Sequence, residues 1–240
     1  MMSRIFKSRS MDVSSVVSMA TTSSELPYFP AKAPEVFSGP PEPVVALFTP
    51  VLAALADVVD RPTSGDLARP TPCPQWDVGR LRDHVLGWVQ FFAAALQDPE
   101  RSAPRLDPDA YRTAEDGRSP GEVVRDAAGR IERAVRAGVA HQRVVVSQSV
   151  MDGSAVLALM LGEYLVHGWD LAHALGLPWT PPDDACEAAL AFSRATVAPQ
   201  FREMDGAVFG PEVVVPEDAP ALDRLVAFSG RSPSWGPDMG

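Results

Sequence analysis

The stretch AVLALMLGEYLVHGWDLAHAL (residues 155–175) decides the fold of this protein. It is apolar almost throughout, and Gly176 follows it as a natural helix stop, so it predicts a helix over residues 154–175. Within it, Glu163 and His167 are spaced i, i+4, which places both side chains on one helix face. A carboxylate and an imidazole in apolar surroundings carry a large desolvation cost unless something compensates them.

A divalent metal ion would compensate both groups. Two imidazoles and one carboxylate form a donor set that holds such an ion and leaves positions open for chemistry. The candidate third donor is His84, in the segment RLRDHVLGW (residues 80–88). An alternative stays open, in which Glu163 and His167 share a hydrogen bond on a partly exposed face and His84 is an unrelated core histidine. The residue pattern alone leaves both interpretations open, with His84, Glu163 and His167 as the candidate metal ligands.

The rest of the chain predicts further helices separated by proline-rich joints. Asp77 is a good N-cap, Ser119 and Glu122 form a capping box, and Pro50 is expected to bend the first helix. The predicted helices span residues 43–59, 78–96, 120–139, 154–175 and 183–202, with a short one ending at Gly230. The segment RVVVSQSVMDG (residues 143–153) is either a brief strand or an extended joint. Because strand signals are sparse, the predicted class is all-α, a four-helix bundle with additional short helices.

The charge and cysteine content exclude several classes of protein. The chain of 240 residues has a formal net charge of −10 and a pI near 4.8, which argues against a nucleic-acid or anionic-membrane surface. No apolar run reaches the roughly 18–20 residues of a membrane helix. Two cysteines are too few for a disulfide scaffold, so a reduced, cytoplasmic setting is expected.

The predicted organisation is one domain with two extensions. Residues 1–34 mix Ser, Thr and scattered basic residues and are interpreted as a disordered leader. Residues 35–235 form the metal-binding helical domain, and residues 236–240 are a tail. We expect a monomer or homodimer whose partners are small molecules rather than nucleic acid or membrane.

Three segments carry a family resemblance: TPCPQWDVGRLRDHVLGW (71–88), GEYLVHGWDLAHALG (162–176) and APALDRLVAFSGRSPSW (219–235). Together they resemble the DinB-like metal-binding bundles, in the branch of mycothiol-dependent maleylpyruvate isomerase. The resemblance implies that His84, Glu163 and His167 bind a divalent metal, typically zinc, with nickel or another divalent ion possible. It therefore also implies that the helices over 78–96 and 154–175 are direct neighbours.

The same resemblance implies a thiol chemistry. A thiol bound to the metal is deprotonated and becomes a nucleophile at neutral pH. The implied cofactor is mycothiol or another low-molecular-weight thiol, and the implied reaction is S-transfer to, or isomerisation of, a small electrophile. Asp170 matches the acidic residue of the HGWD motif and is the predicted catalytic residue, expected to assist proton movement; orienting His167 and hydrogen-bonding a metal-bound water are its other candidate roles. A surface carboxylate is the alternative for Asp170.

Some features limit this interpretation. The isomerase has an additional C-terminal domain, whereas this chain ends soon after SGRSPSW, so maleylpyruvate itself is a poor candidate substrate. A non-catalytic metal-binding bundle, acting as a sensor, a storage protein or a partner of another protein, is the alternative function. Surface roles are expected for Arg224 and Arg231, with a positive charge at the mouth of the site as the alternative for either. Cys73 is expected to pack as a small apolar side chain rather than act beside the metal. His141 and His173 are predicted non-ligands, and Trp76, Trp88 and Trp169 are predicted core or turn residues.

Overall fold

The computed structural model describes residues 26–74, 76–111, 117–197, 202 and 210–236, and within them the chain is mainly helical. The only sheet in these residues is a two-stranded antiparallel hairpin. The prediction of an all-α fold is therefore confirmed. The helices are α1 (Pro41–Val59), α2 (Val78–Gln97), α3 (Pro120–Arg136), α4 (Gly153–Leu175), α5 (Asp183–Thr196) and α6 (Ala221–Phe228), and the strands are β1 (Arg143–Val146) and β2 (Ser149–Asp152). Single turns of 3-10 helix lie at Glu35–Ser38, Pro108–Ala110 and Val139–His141.

Helices α1 to α4 form a bundle in which each helix packs against two others. Helix α1 contacts α3 and α4, and α2 contacts the same two helices, which confirms the predicted neighbourhood of α2 and α4. Side chains such as Leu55, Phe92 and Leu161 are fully buried between them, each stabilising the fold by about 1.5–3 kcal/mol relative to exposure. Helix α5 packs on the outside of α4, and α6 packs on α5. This outer pair covers the part of α4 that carries the ionisable residues.

The predicted helix boundaries hold where a specific capping residue defines them. The Asp77 side chain accepts a hydrogen bond from the Arg80 backbone N–H at 2.8 Å, and Ser119 and Glu122 form the capping box. Gly176 ends α4 with φ of 69°, in the left-handed region that favours glycine. Helix α1 runs continuously through Pro50.

Two predicted helices are too long. Helix α3 ends at Arg136 rather than at residue 139, because Gly138 takes φ of 84° and turns the chain. Helix α5 ends at Thr196 rather than at residue 202, and Val197 already has φ of −86° and ψ of 95°. Pro199 has no N–H for the helix and disfavours helical geometry at the preceding residue. The rest of that predicted stretch, residues 198–201, lies outside the described residues.

Within the segment 143–153, residues 143–152 form the hairpin, with Ser147 at the turn adopting φ of 50°, and Gly153 begins α4. The end of the predicted leader lies along this hairpin: the Phe29 N–H donates to the Val150 carbonyl at 2.8 Å, and the Val150 N–H donates to Pro27 at 2.9 Å. The Tyr28 hydroxyl also donates to the Asp152 carboxylate at 2.8 Å. Residues 1–25 of the predicted leader and residues 237–240 of the predicted tail lie outside the described residues.

The expectation that no apolar run reaches the length of a membrane helix is wrong for α1, which is long and apolar enough to cross a membrane by length and composition. Helices in bundle cores commonly share this property, and here the apolar side chains of α1 pack against α3 and α4. Val51, Leu55 and Val59 are fully buried within the protein. The composition of α1 is thus explained by its place in the bundle.

Candidate metal centre

The structure brings His84, Glu163 and His167 together where α2 packs against α4. The Nε2 atom of His167 lies 3.4 Å from Oε2 of Glu163, and Nε2 of His84 lies 3.9 Å from the same oxygen. One donor atom from each residue lies within 4.8 Å of the other two. The i, i+4 spacing on α4 supplies two of these groups, and the packing of α2 against α4 supplies the third.

This geometry fits a divalent cation. Zinc bonds to nitrogen and oxygen of about 2.0–2.1 Å in a tetrahedral arrangement place neighbouring ligand atoms about 3.4 Å apart. The two measured separations are close to that value and need only small side-chain adjustments. Among the described residues, no fourth histidine, cysteine or carboxylate joins the group. If an ion were bound, this donor set would leave coordination positions for an exogenous ligand.

The electrostatics of the site also favour a positive charge. Burial raises the pKa of Glu163, but the adjacent imidazoles of His167 and His84 outweigh burial and hold that pKa below its usual range. Burial disfavours the charged form of His167, but its hydrogen bonds to Asp170 and Glu163 outweigh burial and raise its pKa to about 9. In the metal-free protein His167 thus holds a proton between two carboxylates. A divalent cation would likewise compensate the negative charge of these carboxylates.

Asp170 lies behind His167 and is completely buried. Its carboxylate accepts hydrogen bonds from Nδ1 of His167 at 3.0 Å and from Arg231, with Nη2 at 3.1 Å and Nε at 3.3 Å. Burial raises the pKa of Asp170, but the charge of Arg231 and the bond to His167 outweigh it and lower that pKa. An ionised carboxylate is only an acceptor, so Nδ1 carries a proton and Nε2 faces Glu163 and the proposed metal position. The surface alternative for Asp170 is excluded, and its contacts match the role of orienting His167.

The expectation of a surface role for Arg231 is wrong, because its side chain is buried against Asp170. Gly230 adopts φ of 87° directly after α6 and reverses the chain, and the Arg231 backbone N–H then donates to Val226 at 3.0 Å. The guanidinium also donates to the Ser229 carbonyl at 3.0 Å. The sequence carried no pattern linking Arg231 to Asp170, which lies 61 positions earlier.

Arg224, in contrast, lies toward the surface. It pairs with Glu187 on α5, whose side chain is half exposed. This pair joins α5 to α6 outside the cavity, so Arg224 holds the outer helices together rather than the site.

A cavity of about 330 Å³ opens beside the three candidate ligands. Its walls come from α2, α4, α5, the end of α6 and the turn before α2. The volume is in the range of small-molecule sites. The lining includes Pro72, Cys73, Pro74, Trp76, Ala158, Leu159, Gly162, Val166, Phe192, Ser193, Thr196, Val197, Gly210, Pro211, Leu225, Phe228, Ser229, Gly230 and Arg231.

Trp76 has a place in the site that its sequence position alone did not indicate. Its ring centroid lies 4.3 Å from that of His84 and 5.7 Å from that of His167, so the indole covers both imidazoles. The sequence offered one indication of this place: Trp76 lies one residue before Asp77, the N-cap of the helix that carries His84. Cys73 also lines the cavity, although it was expected only to pack.

The two remaining histidines lie outside this group. His141 is in the 3-10 turn after α3, and His173 stacks on Trp169 with ring centroids 4.0 Å apart. Nδ1 of His173 also lies 3.2 Å from the Trp169 carbonyl oxygen. Their positions agree with their interpretation as non-ligands.

Comparison with known proteins places the chain in a family. The chain is 28% identical over 185 residues to two proteins of Mycobacterium tuberculosis, Uncharacterized protein MT0763 and Uncharacterized protein Rv0738, covering 75% of this chain and 92% of each relative. No solved structure matches the chain significantly. The family model described as "Mycothiol maleylpyruvate isomerase N-terminal domain" matches residues 48–172, a range that contains all three candidate ligands and Asp170. Since that match spans more than half of the chain, this protein belongs to the mycothiol maleylpyruvate isomerase N-terminal domain family.

Proposed function

We propose that this protein is a divalent-metal-dependent enzyme that uses a low-molecular-weight thiol of the mycothiol type as a nucleophile toward a small electrophile. The observation that carries the proposal is the convergence of His84, Glu163 and His167 at the wall of a 330 Å³ cavity. A three-residue donor set beside open space suits an exogenous ligand and a second reactant. Zinc is the proposed metal, because borderline-soft Zn²⁺ accepts imidazole, carboxylate and thiolate ligands.

When bound, such an ion would lower the pKa of a coordinated thiol and present a thiolate at neutral pH. The residues of the chain prepare the site for that ligand. Glu163 is held ionised between the two imidazoles. Asp170 fixes the tautomer and orientation of His167, and hydrogen-bond partners of this kind typically change metal affinity by about 10–100-fold. Asp170 is therefore proposed as a positioning residue, because it is buried behind the ring and does not line the cavity.

The cavity walls complete the proposed mechanism. Apolar side chains such as Phe192, Leu225 and Phe228 keep water away from a reactive sulfur, and Arg231, paired with Asp170, holds that carboxylate behind His167. The thiol would lose its proton to solvent, and its sulfur would form a bond to an electrophilic carbon while a π bond of that carbon opens or a leaving group departs with the bonding electron pair. The anion so formed would take up a proton. In S-transfer the carbon–sulfur bond is retained, whereas in isomerisation it forms and later breaks.

The test is a metal and thiol titration of His167→Ala. The wild-type protein is expected to bind one equivalent of Zn²⁺ or Co²⁺, and Co²⁺ should quench the fluorescence of Trp76, whose ring lies 4.3 Å from the His84 ring. Thiol addition should then produce the intense near-ultraviolet absorption of a cobalt–thiolate bond. His167→Ala should lose both signals.

The matched control is His173→Ala, a histidine of the same helix outside the ligand group. It should keep metal and thiol binding. A metal-loaded wild-type protein without affinity for any thiol would refute the thiol mechanism, and the sensor or storage function would then be favoured. Equal metal binding by wild type and His167→Ala would refute the metal centre itself.

The remaining parts of the proposal concern the setting of the protein. We propose a cytoplasmic location and small-molecule partners, without a nucleic-acid or membrane partner, for a monomer or homodimer. The acidic net charge of −10 argues against a nucleic-acid or anionic-membrane partner, and the content of two cysteines supports the cytoplasmic location. Between the two function classes, the open cavity beside the ligand group favours the enzyme over a non-catalytic metal-binding bundle.

A further inference from the structure

The indole of Trp76 belongs to a cluster of three rings at the candidate metal centre. Its centroid lies 4.3 Å from that of His84 and 5.7 Å from that of His167, and the two imidazole centroids lie 5.2 Å apart. Trp76 also lines the cavity, as do both histidines and Glu163. The indole therefore fills space that borders two of the three candidate ligands and faces the cavity.

The turn that carries Trp76 is held in place by a buried hydroxyl. Thr71 is 4% exposed, and its Oγ1 donates to the Trp76 carbonyl at 2.8 Å while it accepts from the Cys73 N–H at 3.1 Å. The Trp76 N–H donates to the Cys73 carbonyl at 3.0 Å, and Asp77 then caps α2. Both backbone polar groups of Trp76 are thus hydrogen-bonded, which fixes the backbone from which the indole projects.

The indole contributes volume to the site but no ligand atom. Its only polar group is an N–H, which donates a hydrogen bond and does not coordinate a cation. Zn²⁺ has no geometric preference from its d-electrons, so its number of ligands depends on the space that surrounds it. A ring packed against two of the three donors takes up space that water molecules would need to become additional ligands.

We propose that Trp76 is a positioning residue that limits a metal bound by His84, Glu163 and His167 to one exogenous ligand, and so favours four-coordinate Zn²⁺. This inference rests on the proposed metal-dependent function and adds the residue that sets the coordination number. Ni²⁺ prefers square-planar or tetragonal surroundings, whereas structural and catalytic zinc is mostly tetrahedral. The indole therefore selects against ions that require further ligands.

The experiment compares full-length wild type with Trp76→Ala, Trp76→Phe and Thr71→Val, without added thiol. The visible absorption of bound Co²⁺ reports the coordination number, because four-coordinate cobalt absorbs much more strongly than six-coordinate cobalt. Competition with an indicator measures the ratio of Ni²⁺ to Zn²⁺ affinity. The matched control is Trp235→Ala, the same change at another half-buried tryptophan, which is not among the residues that line the cavity.

Wild type is expected to show the strong visible absorption of four-coordinate cobalt. Trp76→Ala should lose most of that absorption and raise the ratio of Ni²⁺ to Zn²⁺ affinity by about tenfold or more, within the range known for residues that orient metal ligands. Trp76→Phe should stay close to wild type, because an aromatic ring still covers the imidazoles. Trp235→Ala should behave as wild type.

Thr71→Val keeps the shape of the side chain and removes the hydroxyl that holds the turn. It should change both measurements in the same direction as Trp76→Ala, but by less. If Trp76→Ala does not fold, Thr71→Val decides the question, and a wild-type spectrum with a wild-type affinity ratio overturns the inference.

The outcomes separate this inference from the proposed function. Four-coordinate cobalt in both wild type and Trp76→Ala leaves the metal-dependent function standing and removes Trp76 as the residue that limits coordination. Weak, six-coordinate absorption in wild type has the same consequence. Failure of wild type to bind Co²⁺ and Zn²⁺ overturns the proposed metal centre, and the inference with it.

Discussion

Asp170→Asn tests the buried network behind the metal centre most directly. In the native protein Asp170 accepts hydrogen bonds from His167 and Arg231, and Asp170 is fully buried while Arg231 is 8% exposed. The substitution removes the negative charge and leaves the shape almost unchanged. Two consequences follow, one for stability and one for metal affinity, and they have different physical causes.

The stability effect comes from Arg231. Removing one partner of a buried ion pair leaves an uncompensated buried charge, which costs about 3–5 kcal/mol. The metal effect comes from His167, whose Nδ1 loses an anionic acceptor at 3.0 Å. Loss of such a partner lowers metal affinity by about 10–100-fold, equivalent to roughly 1.4–2.8 kcal/mol. Asp170→Asn should therefore unfold more easily and bind zinc more weakly.

A double variant separates the two effects. Adding Arg231→Met to Asp170→Asn removes the unpaired charge and should restore at least about 2 kcal/mol of the free energy of unfolding. It should not restore zinc affinity, because His167 still lacks its anionic acceptor. Stability is measured by urea denaturation in chelator, so that metal binding does not contribute, and zinc affinity is measured by competition with an indicator.

The control is Asp126→Asn, an exposed carboxylate on α3. It should change the free energy of unfolding by less than about 0.5 kcal/mol and leave zinc affinity unchanged. The reasoning is refuted if Asp170→Asn loses no more stability than this control. It is also refuted if the double variant regains zinc affinity.

Two further predictions concern packing and thiol reactivity. Gly168→Ala should destabilise the protein by about 1–3 kcal/mol in urea denaturation, because a Cβ at Gly168 would lie 2.3 Å from the Trp179 ring, whereas Gly162→Ala on the same helix meets no atom within 4 Å and should be neutral or stabilising. Equal effects of the two substitutions would contradict this packing. Iodoacetamide at pH 8 should label Cys73, which lines the cavity, before Cys186, because burial of Cys186 raises its pKa to about 12 and leaves almost no thiolate. Mass spectrometry of the intact and then the urea-unfolded protein measures the order, and earlier labelling of Cys186 would show that it is not buried.

Local signals in the sequence determined the helices and two of the candidate ligands. Asp77, the Ser119–Glu122 capping box and Gly176 each end or begin a helix through contacts within a few residues, so their positions were predictable. The pairing of Glu163 and His167 is equally local, because it follows from the helical repeat. The helix ends that were wrong had no capping residue at the predicted position.

The family motifs, rather than a local signal, identified His84 as a candidate ligand. His84 lies 79 positions before Glu163. No periodicity relates residues on two different helices, so the residue pattern alone left His84 open as a core histidine. The packing of α2 against α4 brings its Nε2 to 3.9 Å from the Glu163 carboxylate. The sequence therefore named this residue only through resemblance.

The tertiary structure alone decided the buried pair of Asp170 and Arg231, the position of Trp76 over two imidazoles, and the cavity beside the ligand group. Each depends on how distant segments meet: Gly230 reverses the chain after α6, and α5 packs across α4. An exposed and a buried arginine have the same local sequence signature, because burial of a charge is set by the partner that compensates it. That partner becomes visible only when the chain is folded.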